Sequence, residues 1–587
     1  MKKIRVVIFC LLAAWLIASA AAQTTTGDIL GTVTDTSGGA IPGAQVTVTN
    51  TGTNIAQSTT SAASGDFVVN LLQPGTYQVT VTAPNFQTFA VSGIRLSAGD
   101  RRRVDAKLAV GVATQTITVQ AEASAMQTDS SVVSTTITQT AVQNVPLNGR
   151  NFINLIQVQP GINQGPPNSL TNGTRQLDRR QTAAFSANGQ GDGLNNSLID
   201  GADNNTKGTQ DIPVRPALDA IDEMQVQTDD YTADIGRSPG AVVDVITKSG
   251  TNQFHGDAFE YIRNDVLDGT NYSFGANLPK SKLRWNQFGG SLGGPVIKDK
   301  AFFFGGYEGY RLRETMAPII NTVPTLYEEQ NPGDFSDVGG PTITNIDQAG
   351  LAYFKMYPAP NQGTNQFYRV PGESQNSDDF DARGDFHLGS NDTLFARYIY
   401  NHAYTQLPSG MPLATVGTIK PFDPLGDYAT DLNYNAMLGY THIFSPTLLM
   451  HLAANYTRAN NDDIALAGGL NPNAAMGQAN VNVPGTGASM LANIVVSGGT
   501  NLGNSTFMPT QHQENAFQYF GSIIYTHGSH NMQFGGSLLR RQVHTVQSSF
   551  PEGNWVFNNA NPGSTPYASG YPNLLQGRYF ITQRSPI

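Results

Sequence analysis

The sequence predicts a mainly β protein: an N-terminal β-sandwich, a small α+β segment, and then a transmembrane antiparallel β-barrel. Three observations predict it. Charged residues are only 13 % of the chain, while 61 of 587 residues are Gly and aromatic residues remain plentiful, a turn-rich composition that still supports a core. Short alternating strands bounded by Gly- and Pro-bearing turns fill the first part of the chain. Beyond Phe254 the alternation lengthens to runs of about ten residues, with tight turns at one end and long polar loops at the other, as in an outer-membrane barrel.

The first 22 residues carry a basic start (MKKIR), an apolar run (VVIFCLLAAWLIA) and small residues (ASAAA), the pattern of a signal peptide cleaved near Ala22. Cys10, the sole cysteine, lies inside it. The expected mature chain therefore has neither disulfides nor thiol chemistry. No later run offers the roughly 18 uninterrupted apolar residues of a membrane helix, so any crossing must be made by a closed barrel. The net charge of −10, with no dense Lys/Arg patch, argues against a nucleic-acid partner.

Residues 27–112 read as the sandwich. In GTYQVTVTA, Tyr77, Val79 and Val81 share one face and Gln78, Thr80 and Thr82 the other, which suits two stacked sheets. Residues 113–131 read as a linker that contains a short strand-like run, TITVQA. Residues 132–250 mix strands with a helical piece, where Phe152, Leu155 and Ile156 fall together, and with Gly/Asn-rich loops. Residues 251–587 hold four hairpins turning at Lys298-Asp299, Ser390-Asn391, Ser445-Pro446 and Gly528-Ser529. The third is the clearest: Leu432, Tyr434, Ala436, Leu438 and Tyr440 oppose Asn433, Asn435, Gly439 and Thr441. Apolar residues outward and polar residues inward is the alternation of a membrane-spanning strand.

Candidate chemistry is sparse. No histidine occurs between the leader and Gln253, so the sandwich has no metal-ligand set. Gly189, Gly191 and Gly193 lack the strand-to-helix context and the following Lys-Ser/Thr of a phosphate loop. There is no nucleophile elbow, zinc-protease pair or placeable glycosidase acid pair, so no enzyme, cofactor or metal site is expected. The Arg383-Gly384-Asp385 triplet sits mid-strand and is discarded as an adhesion motif. His527 and His530 flank a turn and give only a weak metal pair.

Two resemblances follow from particular motifs. GTVTDTSGGAIPGAQVTV and LLQPGTYQVTV resemble the carboxypeptidase regulatory-like domain, a transthyretin-like sandwich. VPLNGRNFINLIQVQPGI, LIDGADNN, AIDEMQVQTDDYTADIGRSPGAVVDVITKSGTNQFHG and LRWNQFGGSLGGPVIKDKAFFFGGYEGYR resemble, in that order, the plug and first barrel strands of Oar-like TonB-dependent outer-membrane receptors. This resemblance implies an outer-membrane location with the N-terminal domain in the periplasm. It further implies uptake of an unknown solute (siderophore, glycan or peptide) driven by inner-membrane energy. Partners would be outer-membrane lipid and a TonB-type periplasmic coupling protein that adds a strand to a short extended segment, the TonB box. Thr116, Ile117, Thr118, Val119, Gln120 and Ala121 fit that segment; they equally fit the last strand of the sandwich or a plain linker. In the plug loops, Asp200, Asp203, Asn204 and Asn205 are candidates for a ligand site, or for a polar network that satisfies the plug. A surface carbohydrate-binding or adhesion protein without transport is the alternative.

Receptors of this class close about 22 strands around their plug. About nine follow the plug here, an odd number, and GRYFITQRSPI does not end in an aromatic-terminated strand. The sequence alone therefore predicts a truncated barrel with an open edge, lacking about a dozen strands.

Overall fold

The computed structural model describes residues 26–111, 116–120, 130–165, 180, 183–207, 211–233, 235, 238–270, 280–478, 481, 489–504, 507–528, 530–558, 569–579 and 581–583. The expected signal peptide, Ala121, the rest of the expected linker up to residue 129, and Ser529 of the fourth turn lie outside them.

The sandwich comprises β1 (Gly27–Asp35), β2 (Gln45–Asn50), β3 (Ala56–Thr60), β4 (Asp66–Leu72), β5 (Gly75–Thr82), β6 (Thr88–Leu96), β7 (Arg101–Arg103), β8 (Ala106–Leu108) and β9 (Thr116–Gln120). One sheet runs β4-β1-β7, with β8 also on β1, and the other β3-β2-β5-β6-β9. The inward residues are those the alternation marks: Ile29, Val33, Val46, Val48, Val79 and Val81 are fully buried. Each such side chain contributes about 1.5–3 kcal/mol by leaving water. The fifth strand of the second sheet departs from the expected linker. Thr116–Gln120 pairs in parallel with β6, from Thr88↔Thr116 to Ser92↔Gln120. A β-branched run beside an unpaired strand edge is drawn into the ladder.

The plug follows: β10 (Val133–Ile137), β11 (Ile162–Gln164), β12 (Phe185–Ala187), β13 (Asn196–Ile199), β14 (Ala202–Asp203), β15 (Ile221–Asp229) and β16 (Val242–Thr247). Its main sheet is ordered β10-β15-β16-β13-β14. The central β16, antiparallel to β15 and parallel to β13, is buried along its whole length. A strand covered on both faces explains the unbroken apolar run in its sequence. The expected helix is present as Ile153–Gln157, and Phe152, Leu155 and Ile156 are buried against the sheet.

Next come β17 (His255–Asn264), β18 (Leu283–Ile297), β19 (Ala301–Thr315) and a loop pair, β20 (Ile319–Thr322) and β21 (Gln366–Arg369). They precede β22 (Gly372–His387), β23 (Asp392–Leu407), β24 (Asp427–Ser445), β25 (Leu448–Ala465) and a loop strand, β26 (Asn493–Val496). The series ends with β27 (Thr510–His527), β28 (His530–Gln547) and the loop strands β29 (Asn554–Phe557) and β30 (Ile581–Gln583). Nine of these form one antiparallel sheet, β17-β18-β19-β22-β23-β24-β25-β27-β28, curved around the plug and open between β17 and β28. The edge strands show it: β17 and β28 are exposed or half-exposed along their whole length, where the strands between them alternate with buried positions.

The eight hairpin strands are 15 to 19 residues long rather than about ten. Their outer face explains the excess. One ring of aromatics crosses the wall through Tyr307, Phe380, Tyr400, Tyr434, Tyr456 and Phe517, with neighbours such as Tyr307–Phe380 and Tyr456–Phe517 at 4.8 Å. A second lies nearer the short turns, at Phe303, Phe386, Tyr440, Phe444 and Tyr525. Roughly four to eight residues separate the rings along a strand, about 10–20 Å of depth after tilt, and the span holds Leu438, Leu452 and Ile523. Past the first ring the outer face turns polar, with Arg311 paired to Asp378 at 2.7 Å and Asp462 beyond. The strands thus run on past the apolar band into water.

At the long-loop end, four loops fold together into a cap with its own core. Val323, Phe335 and Phe354 come from the first, Met411 and Phe422 from the second, Leu491 and Ile494 from the third, and Phe557 and Leu574 from the fourth. Helix Tyr571–Leu575 packs on helix Gln348–Phe354, and Tyr571 stands edge-on to Phe354 at 5.8 Å and Tyr357 at 5.2 Å. At the short-turn end the sandwich is braced on the wall. Leu71 packs with Leu449 and Ile524, Asn70 donates to Thr526 at 3.3 Å, and Asn54 donates to Asp299 at 3.0 Å.

Candidate functional site

The plug meets the wall through small apolar contacts and one buried ionic network. Ile199 and Val214 pack on Ile399, while Ala202 packs with Phe395, Met437 and Phe520. Between them the β13–β14 turn places Asp200 and Gly201 in left-handed backbone, φ 46° and 75°. Glycine adopts this freely and Asp tolerates it. The turn drives the Asp200 carboxylate into the wall.

There Asp200 accepts from the Thr247 N–H at 2.9 Å and the Thr247 hydroxyl at 2.7 Å. It pairs with Arg397 on β23 and, at 3.5 Å, with Arg383 on β22. Arg383 also donates to the Thr247 carbonyl at 2.9 Å and forks onto Asp385, which accepts from the Ser249 hydroxyl at 2.6 Å. Arg397 donates to Asn435 at 2.5 Å, and Asn435 donates to Asn455 and Thr457. One plug carboxylate therefore engages four adjacent wall strands. Burial works against its ionisation, but Arg397 and then Arg383 outweigh it and hold Asp200 below the usual carboxylate range. Asp244, one strand over, is held the other way: burial pushes it up to about 8, with the Asp200 charge adding, against the hydrogen bond from the Gly201 N–H and the charge of Arg397.

The other plug candidates are engaged as well. Asp203 pairs with Arg541 on β28, and its N–H donates to Gln518 at 2.8 Å. Asn204 bridges to Val214, donating to its carbonyl at 2.7 Å and accepting from its N–H at 3.2 Å. Asn205 donates to Asn196, the Ser197 carbonyl and Asp203. The structure brings all four together around the β13–β14 turn: Asp200 and Asp203 contact the wall, Asn205 does so through its carbonyl, which accepts from Arg541, and Asn204 holds the turn to the rest of the plug. Thr116–Gln120 lies far below them, on the sandwich.

Hollows open between plug and wall, and two of them bear on the site. One, of about 590 Å³, is lined by Asn195, Asn205, Thr206, Lys207, Leu539 and Arg541. The other, about 100 Å³, lies under Arg150, Arg180, Arg215, Tyr310 and Asp379. Arg150 pairs with Asp219 at 2.6 Å and Glu308 at 3.3 Å, and covers the Phe259 ring at 4.1 Å. Among the described residues, no group of three or more His, Cys, Asp or Glu side chains could hold a metal.

Sequence reasoning missed Arg150, Arg383, Arg397 and Arg541 as the cations of this interface. A signal existed. Arg383, Asp385 and Arg397 hold inward positions on wall strands, where a charge needs a partner on the plug. The discarded Arg383-Gly384-Asp385 triplet is half of the anchor.

This combination, a strand wall with an outward aromatic-bounded apolar band and a folded domain plugging its concave side, defines an outer-membrane plugged-barrel protein. The chain belongs to the outer membrane beta barrel domain family, whose model matches residues 246–586. Residues 28–109 match the carboxypeptidase regulatory-like domain. Among curated proteins the chain is similar to the TonB-dependent transporter Oar of Myxococcus xanthus, 26 % identical over 306 residues, which are 50 % of this chain and 28 % of that protein. Among solved structures it is similar to the outer membrane transporter YddB from Escherichia coli, at 10 % identity and a TM-score of 0.45 over 73 % of this chain and 50 % of that one. A ferric enterobactin receptor, PfeA of Pseudomonas aeruginosa, gives 12 % identity and a TM-score of 0.38 over 70 % and 49 %. The chain thus spans well under a third of the curated relative and about half of these solved chains.

Proposed function

We propose that this outer-membrane protein is a TonB-dependent receptor and transporter, its N-terminal sandwich in the periplasm. The observation that carries the reading is the plug itself: a separately folded sheet on the concave side of the wall, held by the Asp200 network and preceded by the extended segment Thr116–Gln120. A solute enters from the cap side and meets the hollow beside Asn205, Lys207 and Arg541. Amide and ammonium donors there suit an oxygen-rich solute, an anionic siderophore, glycan or peptide.

A periplasmic TonB-type protein then grips the segment Thr116–Ala121 by strand addition. The load reaches β10 first, because β10 is next along the chain and is an edge strand held on one side only, from Val133↔Asp229 to Ile137↔Met224. Loosening β10 uncovers Ile137 and Val142 of the plug core. No side chain of the protein changes covalently in this cycle; the energy comes from the inner membrane.

The test is accumulation of labelled ferric siderophores, oligosaccharides and peptides by cells carrying the protein. Deleting residues 116–121 is expected to abolish accumulation, as is collapsing the proton gradient, while surface binding persists. Accumulation that survives the deletion would overturn the reading.

A further inference from the structure

The segment proposed as the TonB box is already a strand. It pairs with β6 through five register positions and ends its sheet, so among the described residues one edge of β9 is bonded and the other is open. β6 is in turn held firmly. It pairs with β5 on its far side, and its C-terminal end runs into Ser97–Gly99, which docks on the plug. There the Ala98 N–H donates to Glu223 at 2.7 Å, and the Gly99 backbone lies so close to Gln225 that a Cβ would sit 2.6 Å from its amide nitrogen. On the wall side the same sandwich is seated by Leu71 and by Asn70, which accepts from Asn531 at 2.9 Å.

We infer that the sandwich presents this segment in place: the coupling protein adds its strand to the open edge of β9 while β9 stays on β6. This rests on the TonB-coupled reading given above and names its docking platform. Two physical arguments favour addition over extraction. An open strand edge offers unpaired N–H and C=O groups in the row that strand addition requires. A segment already extended has lost its conformational entropy before the partner arrives, whereas a segment stripped from β6 forfeits five residues of ladder to gain five. The partner this surface fits is a domain with its own exposed β-strand. In the pairing it extends the five-stranded sheet to a sixth strand, so the load passes into β6 and the plug contact at Glu223 as well as along the chain.

The experiment uses the full chain in outer-membrane vesicles and, as probe, the purified periplasmic domain of the host's TonB-type protein. A disulfide between Ala90→Cys and Thr118→Cys, register partners in β6 and β9, locks the two strands together. Cys10 is the only natural cysteine and lies in the expected leader, so the staple forms without competition. Capture by the oxidised chain is expected to stay within about twofold of the unsubstituted chain. Hydrogen exchange on the unsubstituted chain, which needs no staple, is expected to slow at Thr116–Gln120 on binding and to be unchanged at Thr88–Ser92. A loss of about tenfold or more that reductant restores, or faster exchange at Thr88–Ser92, would show that β9 must leave and would overturn the proposal. Absence of capture by every form, the unsubstituted chain included, would instead defeat the coupling reading itself.

Discussion

Asp200 shows how much one side chain can hold. It is anionic and buried only because two guanidinium groups face it, so its partners matter more than its own burial. Asp200→Ala is expected to cost about 3–5 kcal/mol, leaving Arg383 and Arg397 short of a counter-charge. Replacing Asp200 and Arg397 together by Leu and Met is expected to cost less, read as exchange rates of the β13 amides. Glu223 gives a pH-dependent counterpart. Burial is the main cause that raises it from 4.5 to about 7, with Asp222 adding and the Ala98 N–H, Ser97 and Arg95 opposing. The folded state thus holds its proton more tightly than the unfolded state. Its contribution to the sandwich–plug contact is full below pH 4.5, declines as pH rises toward 7 and is absent above. Glu223→Gln is expected to flatten that slope in denaturation midpoints between pH 5 and about 8. The polar loop around Asp200 was legible in sequence as polar; its partners were not, because Arg397 lies 197 residues further on.

At the level of elements, the four hairpins were legible because tight turns and alternation are local properties. Their length was not, since the polar extensions past the aromatic ring carry no apolar signal. β9 was legible as a strand-like run, and the last strand of the sandwich was one of its readings; what local alternation could not choose was the partner, because the parallel neighbour lies 28 residues earlier at the matched position Thr88↔Thr116. The junction between plug and wall is tightest at Gly250, where a Cβ would stand 2.4 Å from the Phe303 carbonyl oxygen and 2.6 Å from that of Gly294. Backbone cannot yield there as a side chain can. Gly250→Ala is expected to destabilise the seating of β16 against β18 and β19 by about 1–3 kcal/mol, measured by protease cleavage of the plug in vesicles.

Across the whole molecule, three cores stack along one axis: the sandwich at the short-turn end, the plug in the wall, and the cap at the far end. The first two follow from strand and helix periodicity. The cap core does not, since its residues come from four stretches separated by wall strands and have no shared period. Phe354→Ala is expected to cost the cap about 3–5 kcal/mol and leave the wall unchanged, seen as surface proteolysis of the loops in intact cells. That shared core also bears on how such a protein changes its specificity. Loops that stood alone could be exchanged singly, each carrying its own recognition with it. Here Phe354 of one loop leans on Tyr571 of another, so a transplanted loop arrives without its neighbours' half of the packing. Under the receptor reading proposed above, a graft meant to redirect recognition therefore has to move the four loops as one cassette.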